Sequence, residues 1–318
     1  MSGSGMRILD TYRGLDAAAR GAVVAIGNFD GVHRGHQAVL ARARDLAKDA
    51  GAPFGVVTFE PHPRRFFRPD LAPFRLTEAP AKRRLVAALG AALYYELAFD
   101  AALASLPAER FVADVLAGGL GVRHVVVGDG FVFGKGRAGT LRLLQAEAAR
   151  HGFGVSAVSP VADESGVAFS SSRVRAHLAE GRPGEAAALL GRHFAIEGLV
   201  AAGDKRGRTI GFPTANLDLG DHVRPAFGVY AVRGHLPEDG AGGALPGVAN
   251  LGLRPTIGDG RVLLETHLFD FAGDLYGRRL AVELVAHLRP ERKFAGLDAL
   301  KAQIALDGAR AREILAAA

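Results

Sequence analysis

The string GNFDGVHRGH, Gly27–His36, combines glycines and histidines at a spacing suited to phosphate chemistry. Gly27, Gly31 and Gly35 permit tight turning and close backbone approach to a ligand. Asn28, Phe29 and Asp30 fill the loop between them. A helix beginning near Gly35 would aim its unpaired N–H groups at a bound anion. His33 and His36, three apart at that helix start, would face the same anion. A histidine held there donates hydrogen bonds to phosphate oxygens as charge develops in a transition state. The plainer alternative makes both imidazoles loop and capping residues. Further on, Ser170–Arg175, SSSRVR, opens a helix with hydroxyls. Ser171 and Ser172 would form a second anion pocket, to which Arg175 adds a permanent positive charge. Taken alone, the same string is equally a capping turn with a surface arginine.

A second group lies in the carboxyl-terminal part. GDKRGRTIGFPTAN, Gly203–Asn216, sets a Gly/Lys/Arg loop before a short strand on which Thr214 and Asn216 project from one face. A hydroxyl and an amide oxygen side by side suit Mg²⁺ bridging phosphates. The bland reading is an edge strand that starts at Pro213 and carries two polar residues outward. In LETHLFDF, Leu264–Phe271, alternation puts Glu265 on the face of His267 and Phe269. A carboxylate among Leu264, Leu268 and Phe269 would be partly desolvated and could act as a general base toward an alcohol. A solvated strand glutamate is the alternative. His33, His36 and His62 lack the Asp or Glu spacing that would complete a zinc set, so Mg²⁺ carried in by a phosphate ligand is the simpler expectation.

The elements that must position these residues follow two grammars. From Ala22 to about Gly191, short apolar runs alternate with amphipathic segments, the signature of βαβ units and a parallel sheet. Strands are expected at 22–26, 55–59, 94–99, 124–127 and 154–158. Helices are expected at 35–49, 78–89, 108–117, 141–151 and 171–180, the last stopped by Gly181 and Pro183. Gly27–Gly35 then follows the first strand directly, where ligands bind in an open parallel sheet. After Arg192, six β-rich segments with Gly/Pro/Asp turns suggest an antiparallel six-stranded barrel, closed by a helix over 297–317 with Leu297, Leu300, Ile304 and Ile314 at helical spacing. The expectation is an α/β fold of two domains, 1–187 and 188–318.

Bulk properties narrow the partners. A net charge of +6 and a pI near 9.9 come without a run of Lys/Arg or basic residues interleaved with aromatics. Small anionic ligands therefore fit better than nucleic acid. The absence of cysteine excludes disulfides, thiolate metal sites and cysteine nucleophiles. The longest apolar run, Leu85–Tyr95, is too short to span a bilayer, and the amino terminus lacks an apolar signal core. A cytoplasmic enzyme is expected. Met1–Gly5, small residues ahead of a second methionine at Met6, carries no functional reading.

His33-Arg34-Gly35-His36 has the HxGH form of the nucleotidylyltransferase superfamily, and GNFDGVHRGH resembles the version in bacterial bifunctional riboflavin kinase/FAD synthetases. TFEPHP (Thr58–Pro63), GDGFVFGKGRAGT (Gly128–Thr140) and SSSRVR are similar to that family in order. So are GRTIGFPTANL, GVANLGLRPT, ETHLFDF, DLYG and RPERKFAGLDALKAQI in the carboxyl-terminal half. The resemblance implies a Rossmann-like domain transferring AMP from ATP to FMN, giving FAD and pyrophosphate, and a barrel domain phosphorylating riboflavin to FMN. It implies ATP contacts at Gly207, Thr209, Gly211 and Pro213, with Gly203–Gly211 a flap over ATP. Asp129 and Phe131 in one domain, and Arg289, Glu291 and Phe294 in the other, would border flavin. Thr214 and Asn216 would bind Mg²⁺-ATP, and Glu265 would take the ribityl hydroxyl proton. The sequence departs from the family at Gly130, where an amide or carboxylate is expected, and at Ser172, where threonine is usual.

Overall fold

A computed structural model describes residues 5–201, 212–239, 243–253 and 261–317. The expected flap, with Gly207, Thr209 and Gly211, lies outside the described residues. The chain divides into two compact units, Met1–Leu71 with Ala79–Phe169, and Ala72–Glu78 with Ser170–Ala318.

In the first unit β1 (Arg7–Leu9), β2 (Val23–Ile26), β3 (Phe54–Glu60), β4 (Leu93–Ala98), β5 (His124–Gly128) and β6 (Gly154–Val158) form one sheet. Their order is β1-β4-β3-β2-β5-β6 and every pairing is parallel. The sequence predicts five of these strands. It misses β1, because three residues are too short to show a period; its pairing with β4 is what makes it a strand. Around the sheet run α1 (Arg34–Asp49), α2 (Pro63–Phe67), α3 (Ala79–Ala88), α4 (Ala101–Ala104), α5 (Ala108–Arg110) and α6 (Leu141–His151). The α5 segment continues into a π-helical stretch, Phe111–Leu120. Side chains alternate across the sheet: Val24, Ile26, Val57 and Val127 pack with Phe111, Leu116 and Leu144. Val23, Ala25, Val56 and Val126 pack on the other face with Leu40, Ala43 and Val86. Burial on both faces is why these strands read as continuous apolar runs. Strand order reverses at β2 and β5, so the loops leaving their carboxyl ends flank the crevice where such sheets bind ligands.

The second unit begins with α7 (Ser171–Ala179) and α8 (Pro183–Leu190). Sequence reasoning ends helical structure at Gly181 and Pro183. Gly181, at φ +70°, does break the helix. Pro183, however, stands in the first turn of α8, where a missing N–H costs nothing. The strands are β7 (Phe194–Leu199), β8 (Ala215–Asp218), β9 (Gly228–His235), β10 (Leu245–Leu253), β11 (Val262–Leu268) and β12 (Arg279–Arg289). They pair antiparallel in the order β7-β12-β9-β10-β11-β8. An Ala201–Asn216 bridge brings the two ends together into a nearly closed barrel. Ala72–Glu78 joins this unit through backbone bonds: the Phe74 and Arg75 N–H groups donate to the Asp221 carbonyl, and the Val223 N–H donates to that of Arg75.

The terminal helix α9 (Leu297–Ala317) buries Asp307, Ala311 and Leu315, whereas Leu297 is exposed. Ala311 and Leu315 pack with Val229, Val248, Phe269 and Val285 of the barrel. The buried face thus follows a carboxylate that the apolar pattern passes over. Arg289 forks onto Asp307 with contacts of 3.0 and 2.7 Å to Oδ2. Asp307→Ala leaves that guanidinium largely buried without its counter-charge. The expected loss is about 3 kcal/mol, the low end for breaking a buried pair because Arg289 keeps some exposure. A shift of the urea denaturation midpoint measures it, and an unchanged midpoint contradicts it.

Candidate active sites

The first site is built on the turn between β2 and α1. The Gly27 N–H donates to the Val57 carbonyl at 3.1 Å, which ties the loop's start to β3. Phe29 (φ +48°), Gly31 (φ +85°) and Val32 (φ +42°) then adopt left-handed backbone. Only glycine does so freely; for the other two the cost is on the order of 1–3 kcal/mol each. Burial of the Phe29 and Val32 side chains in the core beneath holds them there. Asp30 is also buried, so the middle of the loop is anchored inward. His33 is the N-cap of α1: its Nδ1 accepts the His36 N–H at 3.3 Å. In the neutral ring the proton therefore sits on Nε2. The His33 and His36 rings stack at 3.6 Å between centroids, and Phe29 meets the His36 ring edge-on at 5.4 Å.

Gly27, Phe29, His33, Gly35 and His36 line one cavity of about 260 Å³ with Asp129, Gly130 and Phe131 from the loop after β5. Capping and ligand-facing are thus not alternatives for His33; it does the first and still lines the cavity. The Asp129 N–H donates to the Val158 carbonyl at 3.1 Å, and Phe131 stacks on Phe133 at 5.4 Å. A Cβ at Gly130 would meet nothing within 4 Å, so the departure at this position is not imposed by packing. Gly35 is different: a Cβ there would lie 3.2 Å from the His33 ring. Sequence reasoning missed Lys82, which is 1% exposed. Its Nζ lies 3.3 Å from the Asn28 carbonyl and 3.2 Å from Thr58 Oγ1. In the string AKRRL it looks like one of three surface cations, and no sequence signal separates it.

The remaining candidates belong to the second unit. Ser170 caps α7 by accepting the Arg173 N–H at 3.3 Å, leaving Ser171 and Ser172 in the first turn. Arg175 donates from Nε to the Phe74 carbonyl at 2.7 Å and lies 5.7 Å from the Phe74 ring centroid. Pro213, Thr214 and Asn216 line a cavity of about 80 Å³ with Thr266 and Tyr276. The Thr266 hydroxyl is buried there with no hydrogen-bond partner among the described residues, a feature the sequence does not signal. His267 Nδ1 donates to the Pro213 carbonyl at 2.8 Å and so tethers the segment leading to Thr214.

Glu265 stands directly opposite Asn216 on β8 and opposite Asn250 on β10. The row continues through Val229 on β9 to Arg289 on β12. Cross-strand partners share a face, so three elements of the predicted kinase chemistry stand in one line. Alternation places Leu264 and Leu268 inward and leaves Glu265 exposed, which corrects the expectation of a desolvated carboxylate. Asn250 Nδ2 donates to Glu291 Oε1 at 3.4 Å, and Phe294 lies under Arg289 and Arg292 at 5.7 and 4.9 Å. Arg289 is already occupied by Asp307, so its first duty is to latch α9. A second latch joins Asp270 to Arg312 at 2.9 Å, and that guanidinium holds the Asp270 carboxyl below its ordinary range. Among the described residues, no group of three or more His, Cys, Asp or Glu side chains is placed to hold a metal.

Residues 15–173 match the FAD synthetase family and residues 190–315 the riboflavin kinase family. Bifunctional riboflavin kinase/FMN adenylyltransferases from Escherichia coli (strain K12) and Pseudomonas fluorescens are 46% and 47% identical to the chain. These alignments cover 97% and 98% of both partners. The chain belongs to the bifunctional riboflavin kinase/FMN adenylyltransferase family. The Bacillus subtilis (strain 168) member is 37% identical over 90% of each chain. A solved structure, of a macrolide-efflux protein from Streptococcus pneumoniae, superposes with a TM-score of 0.81 at 30% identity and covers 95% of this chain and 97% of that one. Among the described residues, no helix here is long and apolar enough to cross a membrane.

Family membership gives Gly35 a sharper meaning, because the HxGH glycine is the residue that lets His33 lie over the first turn of α1. Gly35→Ala should raise helix stability by up to about 1 kcal/mol while displacing the His33 ring by tenths of an ångström. The expected outcome is an unchanged or higher melting temperature with FAD formation from FMN several-fold slower. Full activity in this variant would mean that the ring's position is not critical.

Proposed function

We propose that residues 1–187 carry the FMN adenylyltransferase activity of the family and residues 188–318 the riboflavin kinase activity. The observation that carries this reading is the pair of cavities, one at the strand-order reversal beside His33 and His36, the other beside Thr214 and Asn216. In the first reaction an FMN phosphate oxygen attacks the α-phosphorus of ATP, the α–β bridge breaks, and pyrophosphate leaves. Gly27, Asn28, Phe29, Asp30, Gly31 and Gly35 shape the phosphate loop. His36 and the Nε2–H of His33 stabilise the charge that builds on the phosphate oxygens. Asp129 and Phe131 border FMN, and Ser171, Ser172 and Arg175 serve the nucleotide.

In the second reaction Glu265 takes the proton of the ribityl 5′-hydroxyl, whose oxygen accepts the γ-phosphoryl group and releases ADP. Thr214 and Asn216 offer the hard oxygen donors that Mg²⁺ prefers. When bound with ATP, Mg²⁺ neutralises charge on the bridging phosphates. Pro213 with Gly207, Thr209 and Gly211 contacts ATP; Arg289, Glu291 and Phe294 border riboflavin. Exposure of Glu265 means that its desolvation comes from the bound substrates. The substrates are small anions and flavins, with no nucleic acid or membrane involved, and the enzyme works in the cytoplasm. The test is direct: incubate the protein with riboflavin, ATP and MgCl₂ and resolve FMN and FAD by chromatography. Absence of both products overturns the reading.

A further inference from the structure

The loop Asn28–Val32 carries two non-glycine residues in left-handed backbone, and something must keep it from relaxing. Core packing fixes the Phe29 and Val32 side chains, and the Val32 N–H donates to the Phe29 carbonyl at 3.1 Å, which closes the turn between them but leaves the peptide before Phe29 to be held otherwise. The Asn28–Phe29 peptide is fixed from below. Its carbonyl faces the Thr58 hydroxyl at 3.4 Å and the Lys82 ammonium at 3.3 Å. Lys82 is also 3.2 Å from Thr58 Oγ1 and 3.7 Å from Glu60, and Thr58 is fully buried. An ammonium in the interior is costly unless several oxygens surround it, so this cluster is not a default way to fill space.

We propose that Lys82 is a positioning residue for adenylyl transfer, acting through the Asn28 carbonyl on the phosphate loop. A trans peptide points its C=O and N–H to opposite sides. Holding the Asn28 carbonyl toward Lys82 and Thr58 therefore turns the Phe29 N–H away from them, on the side left for the nucleotide. The buried ammonium, with Glu60 3.7 Å away as its counter-charge, also sets a cation beneath a loop that receives polyphosphate, in surroundings where water screens it little. Its influence passes through the Asn28 carbonyl, in the backbone of the loop. The inference rests on assigning adenylyl transfer to the Gly27–His36 site.

Lys82→Met keeps the length of the side chain and removes its charge and donors. In the full-length protein it is expected to lower the kcat of FAD formation from FMN roughly 10- to 100-fold, with less than a threefold change in KM for FMN. Riboflavin phosphorylation in the same preparation should stay within twofold. In Lys82→Ala, added ethylammonium should restore part of the lost turnover, whereas equal NaCl should not. Purely structural loss would depress both reactions and would not respond to the amine. If Lys82→Met loses both reactions, Thr58→Val decides, since it removes one bond to the Asn28 carbonyl while the ammonium keeps its contacts with Asn28 and Glu60. It should slow FAD formation about 3- to 10-fold and spare the kinase. FAD formation within twofold of the parent in a folded Lys82→Met, or in Thr58→Val, overturns the proposal. His36→Ala separates the two levels: normal FAD formation in that variant removes the underlying site assignment, whereas its loss beside a fully active Lys82→Met removes only the role of Lys82.

Discussion

Replacing Glu265 by alanine should cut FMN formation from riboflavin by about 10²- to 10⁴-fold, the usual contribution of a general base. FAD formation from supplied FMN should stay within twofold of the parent. Glu265 sits opposite Asn216 and Asn250 at the centre of the cross-strand row, so its side chain shares a face with a proposed metal ligand. It is exposed, and truncating an exposed side chain leaves no cavity in the core; the fold should register the change little. Quantifying both flavins after fixed incubations with ATP and Mg²⁺ separates the effects. A Glu265→Ala protein that still makes FMN at near-parent rates would move the base elsewhere. Thr214 and Asn216 should be still less replaceable, because phosphoryl transfer relies more on metal positioning than on proton removal.

The reciprocal result is expected for His36→Ala: FAD formation from FMN should fall by about 10²- to 10³-fold, the scale for losing one donor to a developing oxyanion. FMN formation should persist. His36 is a better target than His33, because His33 also caps α1 through Nδ1. Its replacement would cost roughly 1 kcal/mol of helix stability as well as activity and mix the two effects. Parallel progress curves for the two reactions read the outcome. If either Glu265→Ala or His36→Ala stopped both reactions in a folded protein, two independent sites would be the wrong description.

Much of the fold is legible in the residues because its signals are local. Runs such as Val23–Ile26 and Val125–Val127 are apolar on both faces, as a strand covered by helices on each side requires. The turn residues after Arg192 mark off six β-rich segments, and six strands form the barrel. What failed was short or conditional. Arg7–Leu9 becomes a strand only because β4 offers it hydrogen bonds. Pro183 ends one helix and starts another, and only the chain's path decides which property is used.

The candidate sites divide in the same way. Glycine and histidine spacing singles out GNFDGVHRGH, whose Gly27, His33, Gly35 and His36 line a cavity, since turn and cap preferences act within a few residues. Strand alternation is likewise local: it buries Leu264 and exposes Glu265, while Thr214, just before β8, lines the same cavity as Asn216. Three facts were decided only by tertiary structure. Lys82 lies beneath the phosphate loop, 54 positions from Asn28. Arg289 is spent on Asp307, 18 positions away, before any ligand arrives. Glu265, Asn216 and Asn250 come into one row through strand register. A sequence specifies the period of a strand and the chemistry of a turn, but the partner of a long side chain is whichever group the folded backbone brings within about 3 Å. That selection belongs to the packed whole, and it determines which of the many charged residues act on the chemistry.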